Sequence, residues 1–202
     1  GMKRLDPHDF LALEETRESV YAVLTSKDYN ERLDGEPFQA SVFHQNPMGY
    51  TSTFSRYAFA ADVLIATAYW DPAAPILFSI SDMHNPSFRI RLISDITCDI
   101  GGSIPSTVKP TNIYDPAYDF NPFNSDLEAP FSDSRNITVM AIDNLPCELP
   151  RDASQDFGNQ FINNVLPALM EQPYGDLISS CAVLDKGNLT PAFNHLMDYL
   201  NG

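Results

Sequence analysis

Cysteine is scarce and solitary in this chain. Its three residues, Cys98, Cys147 and Cys181, are odd in number and far apart, with no CxxC pair. That argues against a disulfide framework or a zinc site and makes a reducing cytoplasm the default compartment. Basic residues are also short, 12 Lys and Arg against 27 Asp and Glu, for a formal net charge of −15. Reading a phosphate backbone needs a basic face, so nucleic acid is excluded as a partner. An anionic membrane surface is disfavoured on the same ground, and no apolar run approaches the ~20 residues of a membrane span. The start, Gly1-Met2-Lys3-Arg4-Leu5-Asp6, has no hydrophobic region of a signal peptide, and a Gly ahead of Met reads as a tag-cleavage scar. HExxH, GxSxG and Walker A sequences are missing too. The four histidines (His8, His44, His84, His195) stand singly, without a partner at ligand spacing.

What is present is globular. At 202 residues, 44% hydrophobic and 19% charged, the chain is one large domain or two small ones with a sizeable core, not a disordered polymer. Sixteen prolines exceed the roughly 5% of average usage and promise loops rather than a helical bundle.

Short apolar runs at 20–24, 62–70, 89–96 and 137–143 have strand length and end in turn residues. The second and fourth are almost continuously apolar, as in strands buried on both faces of a parallel sheet. Lys3-Arg4-Leu5 reads as the tail of a fifth strand. Helical spacing over 9–17 (Phe10, Leu13) and 53–61 (Phe54, Tyr57, Ala58) alternates with these runs, which predicts an α/β fold. From Asp152, the residues Phe157, Phe161, Ile162, Val165, Leu166 and Leu169 share one face, with Asp152 and Gln155 as a capping-box-like start. Pro167 should kink or end that helix. A last helix is expected from the Thr190 cap and Pro191, carrying Phe193, Leu196, Met197 and Leu200, with Gly202 after it. The stretch 101–134 shows no periodicity and reads as a long loop, although Tyr114, Tyr118, Phe120, Phe123 and Phe131 argue for packing within it.

In open α/β sheets, ligands bind beyond the carboxyl ends of the strands. There this chain places Tyr69-Trp70-Asp71-Pro72, Thr97-Cys98-Asp99-Ile100-Gly101-Gly102-Ser103 and Asp143-Asn144-Leu145-Pro146. Glycines after a strand let backbone approach a ligand, Ser103 offers a hydroxyl, and Asp99 could face a positive ring. The plainer reading, a Gly-Gly turn beside a satisfied loop carboxylate, stays open. Trp70 serves core or pocket wall equally well. Cys98 and Cys147 lack a nearby base and read as buried structural thiols. Asp115, Asp119, Asp126, Glu128 and Asp133 do not have EF-hand spacing and read as a solvated acidic face.

The run Ile93-Ser94-Asp95-Ile96-Thr97-Cys98-Asp99-Ile100-Gly101-Gly102-Ser103-Ile104, followed by Thr111-Asn112-Ile113-Tyr114-Asp115-Pro116, resembles the lysine-ketoglutarate reductase/saccharopine dehydrogenase family. It is more distantly similar to alanine dehydrogenase and pyridine nucleotide transhydrogenase. Two more blocks agree in order and spacing, Ala68-Tyr69-Trp70-Asp71-Pro72-Ala73-Ala74-Pro75 and Ala141-Ile142-Asp143-Asn144-Leu145-Pro146-Cys147-Glu148-Leu149-Pro150-Arg151-Asp152-Ala153-Ser154. The resemblance runs over roughly 20–172. It implies a partial, doubly wound Rossmann-like sheet, mostly parallel, that binds NAD or NADP and serves an amino-acid oxidoreductase acting on CH–NH or CH–NH2 groups. Asp99 then matches the catalytic aspartate beside nicotinamide and substrate. Tyr69, Trp70, Gly101 and Gly102 line the cofactor, Asn144, Leu145 and Pro146 form the loop on the nicotinamide ribose, and Asp6 is a candidate for the adenosine ribose. No metal is implied.

The departures are equally specific. No GxGxxG occurs, although the family's pyrophosphate site is such a turn. The family's catalytic Lys and His belong to a substrate domain that nothing here resembles. The expectation is a C-terminal part of a longer enzyme: 2–150 a Rossmann-type domain without its first strand and Gly-rich turn, 151–202 a helical segment. Alone it should be inactive, with the apolar face of the 152 helix exposed or buried in a homo-oligomer. In the full-length protein the partners would be a dinucleotide and an amino-acid or keto-acid substrate. The alternative is a non-catalytic α/β binding or assembly module that offers its acidic 101–134 loop to a partner.

Overall fold

The computed structural model describes residues 1–14, 16–171 and 173–201. It forms two compact units, one ending at Leu145 and one beginning at Pro146. In the first, β1 (Lys3–Leu5) lies parallel to β2 (Val20–Ala22), Lys3 opposite Val20. Between them, α1 (Pro7–Leu11) starts where the Asp6 carboxylate accepts from the His8 amide at 3.0 Å and Pro7 supplies a preset φ. The helix expected over 9–17 ends at Leu11. Next, α2 (Ser26–Tyr29) opens with Thr25 donating from its amide and hydroxyl to Asp28 at 2.7 and 2.8 Å. A hairpin-like pair, β3 (Asn30–Arg32) and β4 (Tyr50–Ser52), runs antiparallel around α3 (Ala40–Gln45). The 53–61 stretch yields only α4 (Ser55–Ala58), which buries Tyr57 and Ala58.

The main sheet holds β5 (Val63–Ala66), β6 (Leu92–Asp95), β7 (Tyr118–Phe120), β8 (Leu127–Glu128) and β9 (Ile137–Met140), with α5 (Ile80–Met83) between β5 and β6. Its order is β5-β6-β9-β7-β8. The first three strands are mutually parallel, whereas β7 is antiparallel to β9 and β8 to β7. This is a Rossmann-like α/β arrangement. Ile93, Ile137 and Val139 are fully buried and pack with Phe88, Ile90, Ile104 and Phe120. Side chains of this size contribute roughly 1.5–3 kcal/mol each when taken from water.

Two expectations fail here for identifiable reasons. The 62–70 run is not a strand buried on both faces: β5 spans four residues and lies at the sheet edge, leaving Val63 and Ile65 exposed at 50% and 62%. The 101–134 stretch is not one loop, since it contains β7 and β8. Their sequence hides them because they are only three and two residues long, and β7 buries the charged Asp119 between its two aromatics. Of the five aromatics there, only Tyr118 and Phe120 pack in the core; Tyr114, Phe123 and Phe131 are exposed.

After the single turn α6 (Leu145–Glu148), the second unit has a continuous helical run. It comprises α7 (Pro150–Gln160), a π-helical segment (Phe161–Val165) and α8 (Leu166–Met170). It starts two residues before Asp152, so Asp152 and Gln155 are not its cap. Pro167 does not end the helix either. Leu166 donates to the Phe161 carbonyl instead, and that wider turn accommodates a ring with no N–H to give. Further on come α9 (Asp176–Cys181) and a hairpin of β10 (Leu184–Asp185) and β11 (Asn188–Leu189). Both of its turn residues, Lys186 and Gly187, have positive φ (49° and 83°), as a type I′ turn requires. The last helix is also not as expected. Pro191–Leu196 is 3-10 with a break at Phe193, and only α10 (Met197–Asn201) is α-helical. The Thr190 hydroxyl donates to the Ala182 carbonyl at 2.6 Å instead of capping. The expected stop at Gly202 lies outside the described residues.

Candidate functional site

Because β5, β6 and β9 are parallel neighbours, their carboxyl ends open on one side of the sheet, and the three loops singled out in the sequence leave from there. Backbone bonds stitch them together. Ile96 donates to the Ala66 carbonyl at 2.9 Å, Leu77 to that of Ser103 at 3.0 Å, and Thr111 to that of Ala141 at 2.8 Å. The Cys98 thiol donates to the Ala141 carbonyl at 3.2 Å, bridging the loop after β6 to the end of β9.

In the loop after β5, Tyr69 is 89% exposed. Trp70 is half-buried, its indole donating to the Ala74 carbonyl at 3.3 Å, and Asp71 accepts from the Ala73 amide at 2.8 Å. In the loop after β6, Cys98 has a left-handed backbone with φ 53° and Gly101 has φ 70°. Asp99 is half-buried, and its carbonyl accepts from the Gly102 amide at 2.8 Å. A Cβ on Gly102 would meet the Asp99 Cβ at 2.6 Å, whereas one on Gly101 would meet open space. The two glycines therefore do different jobs: Gly102 permits close packing under Asp99, and Gly101 turns the backbone outward. Ser103 is buried. After β9, Asp143 and Asn144 are exposed and Leu145 is half-buried. Pro146 begins the second unit, where with Cys147, Pro150, Phe157 and Gln160 it lines an open groove of about 630 Å³. That groove is a surface of α7, not of the sheet.

The Cys98 thiol feels three carboxylates. Burial pushes its pKa up first, and the negative charges of Asp143, Asp95 and Asp99 push it further. The expectation of buried structural thiols therefore fits Cys98 in part and fails for Cys147, which is exposed like Cys181. Under native conditions Ellman's reagent should modify two thiols at once and Cys98 in a separate, slower phase; three equal rates would contradict this geometry.

The acidic residues of 115–133 do not form one solvated face. Asp119 is fully buried in β7, and Asp133 pairs with Arg135 at 2.8 Å, a hydrogen bond that holds its carboxyl at about 2. Among the described residues no group of three or more His, Cys, Asp or Glu is placed to hold a metal ion, and no helix is long and apolar enough to cross a membrane. Asp6 is occupied as the cap of α1.

One residue escaped the sequence reading. Asp95, the last residue of β6, is 2% exposed. Its Oδ1 accepts from the Thr97 amide (3.1 Å), the Thr97 hydroxyl (2.6 Å) and the Cys98 amide (3.3 Å), and its Oδ2 from the Thr107 hydroxyl (2.7 Å). A charged residue closing an apolar strand was the available signal.

No family model matches the chain, but curated relatives do. It is 33% identical over 142 residues to the alpha-aminoadipic semialdehyde synthase of Arabidopsis thaliana, covering 68% of this chain and 13% of the relative. It is 23% identical to the mitochondrial enzyme of that name from Mus musculus, over 95% of this chain and 24% of the relative. With the saccharopine dehydrogenase [NAD(+), L-lysine-forming] of Schizosaccharomyces pombe it shares 25% identity, over 52% of this chain and 27% of the relative. The chain thus spans about a quarter or less of the length of these relatives.

Proposed function

The chain belongs to the lysine-ketoglutarate reductase/saccharopine dehydrogenase family, and from that premise we propose that its strand-end loops form the nicotinamide side of an NAD- or NADP-binding site in an amino-acid oxidoreductase. The observation that carries this reading is the convergence of the 67–75, 96–103 and 141–145 loops at the carboxyl ends of three adjacent parallel strands, the ligand edge of open α/β sheets. Asp143 and Asp99 both raise the pKa of Cys98, a negative field in which a positively charged, oxidised nicotinamide would be favoured. Asp99 is the residue proposed to face ring and substrate. Gly101 offers backbone with free space above it, and Tyr69 and Trp70 offer aromatic surface. Asn144 and Leu145 would contact the ribose.

A bound dinucleotide would supply the donor or acceptor of a hydride exchanged with a substrate carbon bearing nitrogen; the chain's part is orientation and electrostatics. None of the three loops contains Lys or Arg, so they serve the ring and ribose rather than the phosphates. For the chain alone this means weak binding and no turnover.

Titration of the 15N-labelled chain with NADH tests the reading. Shifts should concentrate at 69–71, 98–103 and 143–145, saturate only at high ligand concentration, and accompany quenching of Trp70. Submicromolar binding or measurable turnover would show that no further phosphate-binding element is needed. An absence of shifts would leave the non-catalytic α/β binding or assembly module as the better description.

A further inference from the structure

We propose that Asp95 is a positioning residue for this site: it meets no ligand, but its buried carboxylate fixes the loop that carries Asp99, Gly101 and Gly102. The proposal rests on the nicotinamide reading above and extends it to a residue inside the sheet. The loop leaves β6 at Ile96 and returns to the buried Ser106 and Thr107. Asp95 holds both ends, Thr97 and Cys98 through Oδ1 and Thr107 through Oδ2. Closing the 97–107 segment onto one carboxylate removes much of the freedom that ordering it on binding would otherwise consume.

The hold on Cys98 has a particular consequence. A non-glycine residue at φ 53° is disfavoured in isolation and persists only where its surroundings over-determine it. Here the surroundings are specific: the Cys98 amide donates to Asp95 and its thiol to the Ala141 carbonyl. That left-handed residue turns the chain immediately before Asp99. The Gly102 amide then closes the turn on the Asp99 carbonyl at 2.8 Å. Asp95 thus sets the Cys98 backbone, Cys98 sets the direction in which Asp99 leaves, and Gly102 locks it. No cation is needed at the centre, because four donors take up the two oxygens, the arrangement in which a buried carboxylate is tolerated.

The test compares the wild-type chain with Asp95→Asn and Thr107→Val by amide hydrogen exchange and NADH titration. Thr107→Val removes only the Oδ2 arm and keeps the experiment decisive if Asp95→Asn does not fold. In both variants amides of 96–103 should exchange faster, while those of Ile93 and Val139 keep wild-type protection. NADH, read at the Gly101 amide, should bind about tenfold more weakly, equivalent to roughly 1.4 kcal/mol. Unchanged exchange in the loop overturns the proposal. So does faster exchange throughout the sheet, which would make Asp95 merely structural, or a loosened loop with unaltered NADH affinity. Failure of the wild type itself to respond to NADH overturns the nicotinamide reading and with it any role of Asp95 toward that ligand; the exchange comparison then still decides whether Asp95 holds the loop.

Discussion

Gly102→Ala should destabilise the first unit by about 2–3 kcal/mol, the range of forced overpacking. The added Cβ would lie 2.6 Å from the Asp99 Cβ and 2.7 Å from the Asp99 carbonyl oxygen. Neither obstacle is the tip of a flexible side chain, so the backbone of the turn has to move. Moving it breaks the Gly102–Asp99 hydrogen bond. The neighbouring substitution is the control. Gly101→Ala meets no atom within 4 Å and suffers only from φ 70°, a cost of about 1–2 kcal/mol. Urea unfolding followed at Trp70, the only tryptophan, reports on the first unit and should rank the two variants in that order. Equal midpoints would mean that the close approach at Gly102 is not real.

Asp119→Ala should have the larger effect, about 3–4 kcal/mol, because it removes a buried acceptor on which four hydrogen bonds converge, the buried Thr138 hydroxyl among the donors. Asp119 accepts from the Phe131 amide (2.9 Å), the Ser132 amide (2.9 Å), the Ser132 hydroxyl (3.0 Å) and the Thr138 hydroxyl (2.6 Å). It thereby ties the 129–133 segment to β7 and β9. Burial alone would push its carboxyl up, but these four bonds outweigh burial and hold it below the ordinary value. A carboxyl lowered by folding stabilises the fold above the pH at which it titrates in the unfolded chain, and that contribution disappears as pH falls through the lowered folded value. The stability gap between wild type and Asp119→Asn should therefore be full near pH 7 and close in acid. A gap that stays constant down to pH 2 would show that the charge of Asp119 is not what its partners stabilise.

Asp119 also illustrates why part of the fold was hidden. A charged residue between Tyr118 and Phe120 looks like a loop in sequence, and only the convergence of four donors from Phe131, Ser132 and Thr138 makes it compatible with a buried strand. The same limit applies to Pro167. Its missing N–H was legible and its disruption of the helix foreseeable, but whether the chain would stop or widen into a π turn depended on neighbouring turns. Thr190-Pro191 carries every local sign of a helix start, yet the hydroxyl found a partner at Ala182 and the first turns became 3-10. The three loops of the candidate site were legible, because the turn residues and glycines that build them follow apolar runs directly. Asp95, four residues before Asp99, was not, because its role depends on donors from Thr97, Cys98 and Thr107 that only the fold brings to it.

The scarcity of Lys and Arg, the parallel α/β character and the order of the three motif blocks are properties of the sequence by itself, because charge and local hydrophobic period do not depend on partners distant in the chain. The tertiary structure alone decided which strand became the exposed edge, that two antiparallel strands extend the sheet, and that Asp95 and Asp119 became buried hubs. Burial of a carboxylate is a sum over donors brought from different parts of the chain, and no single segment contains that sum.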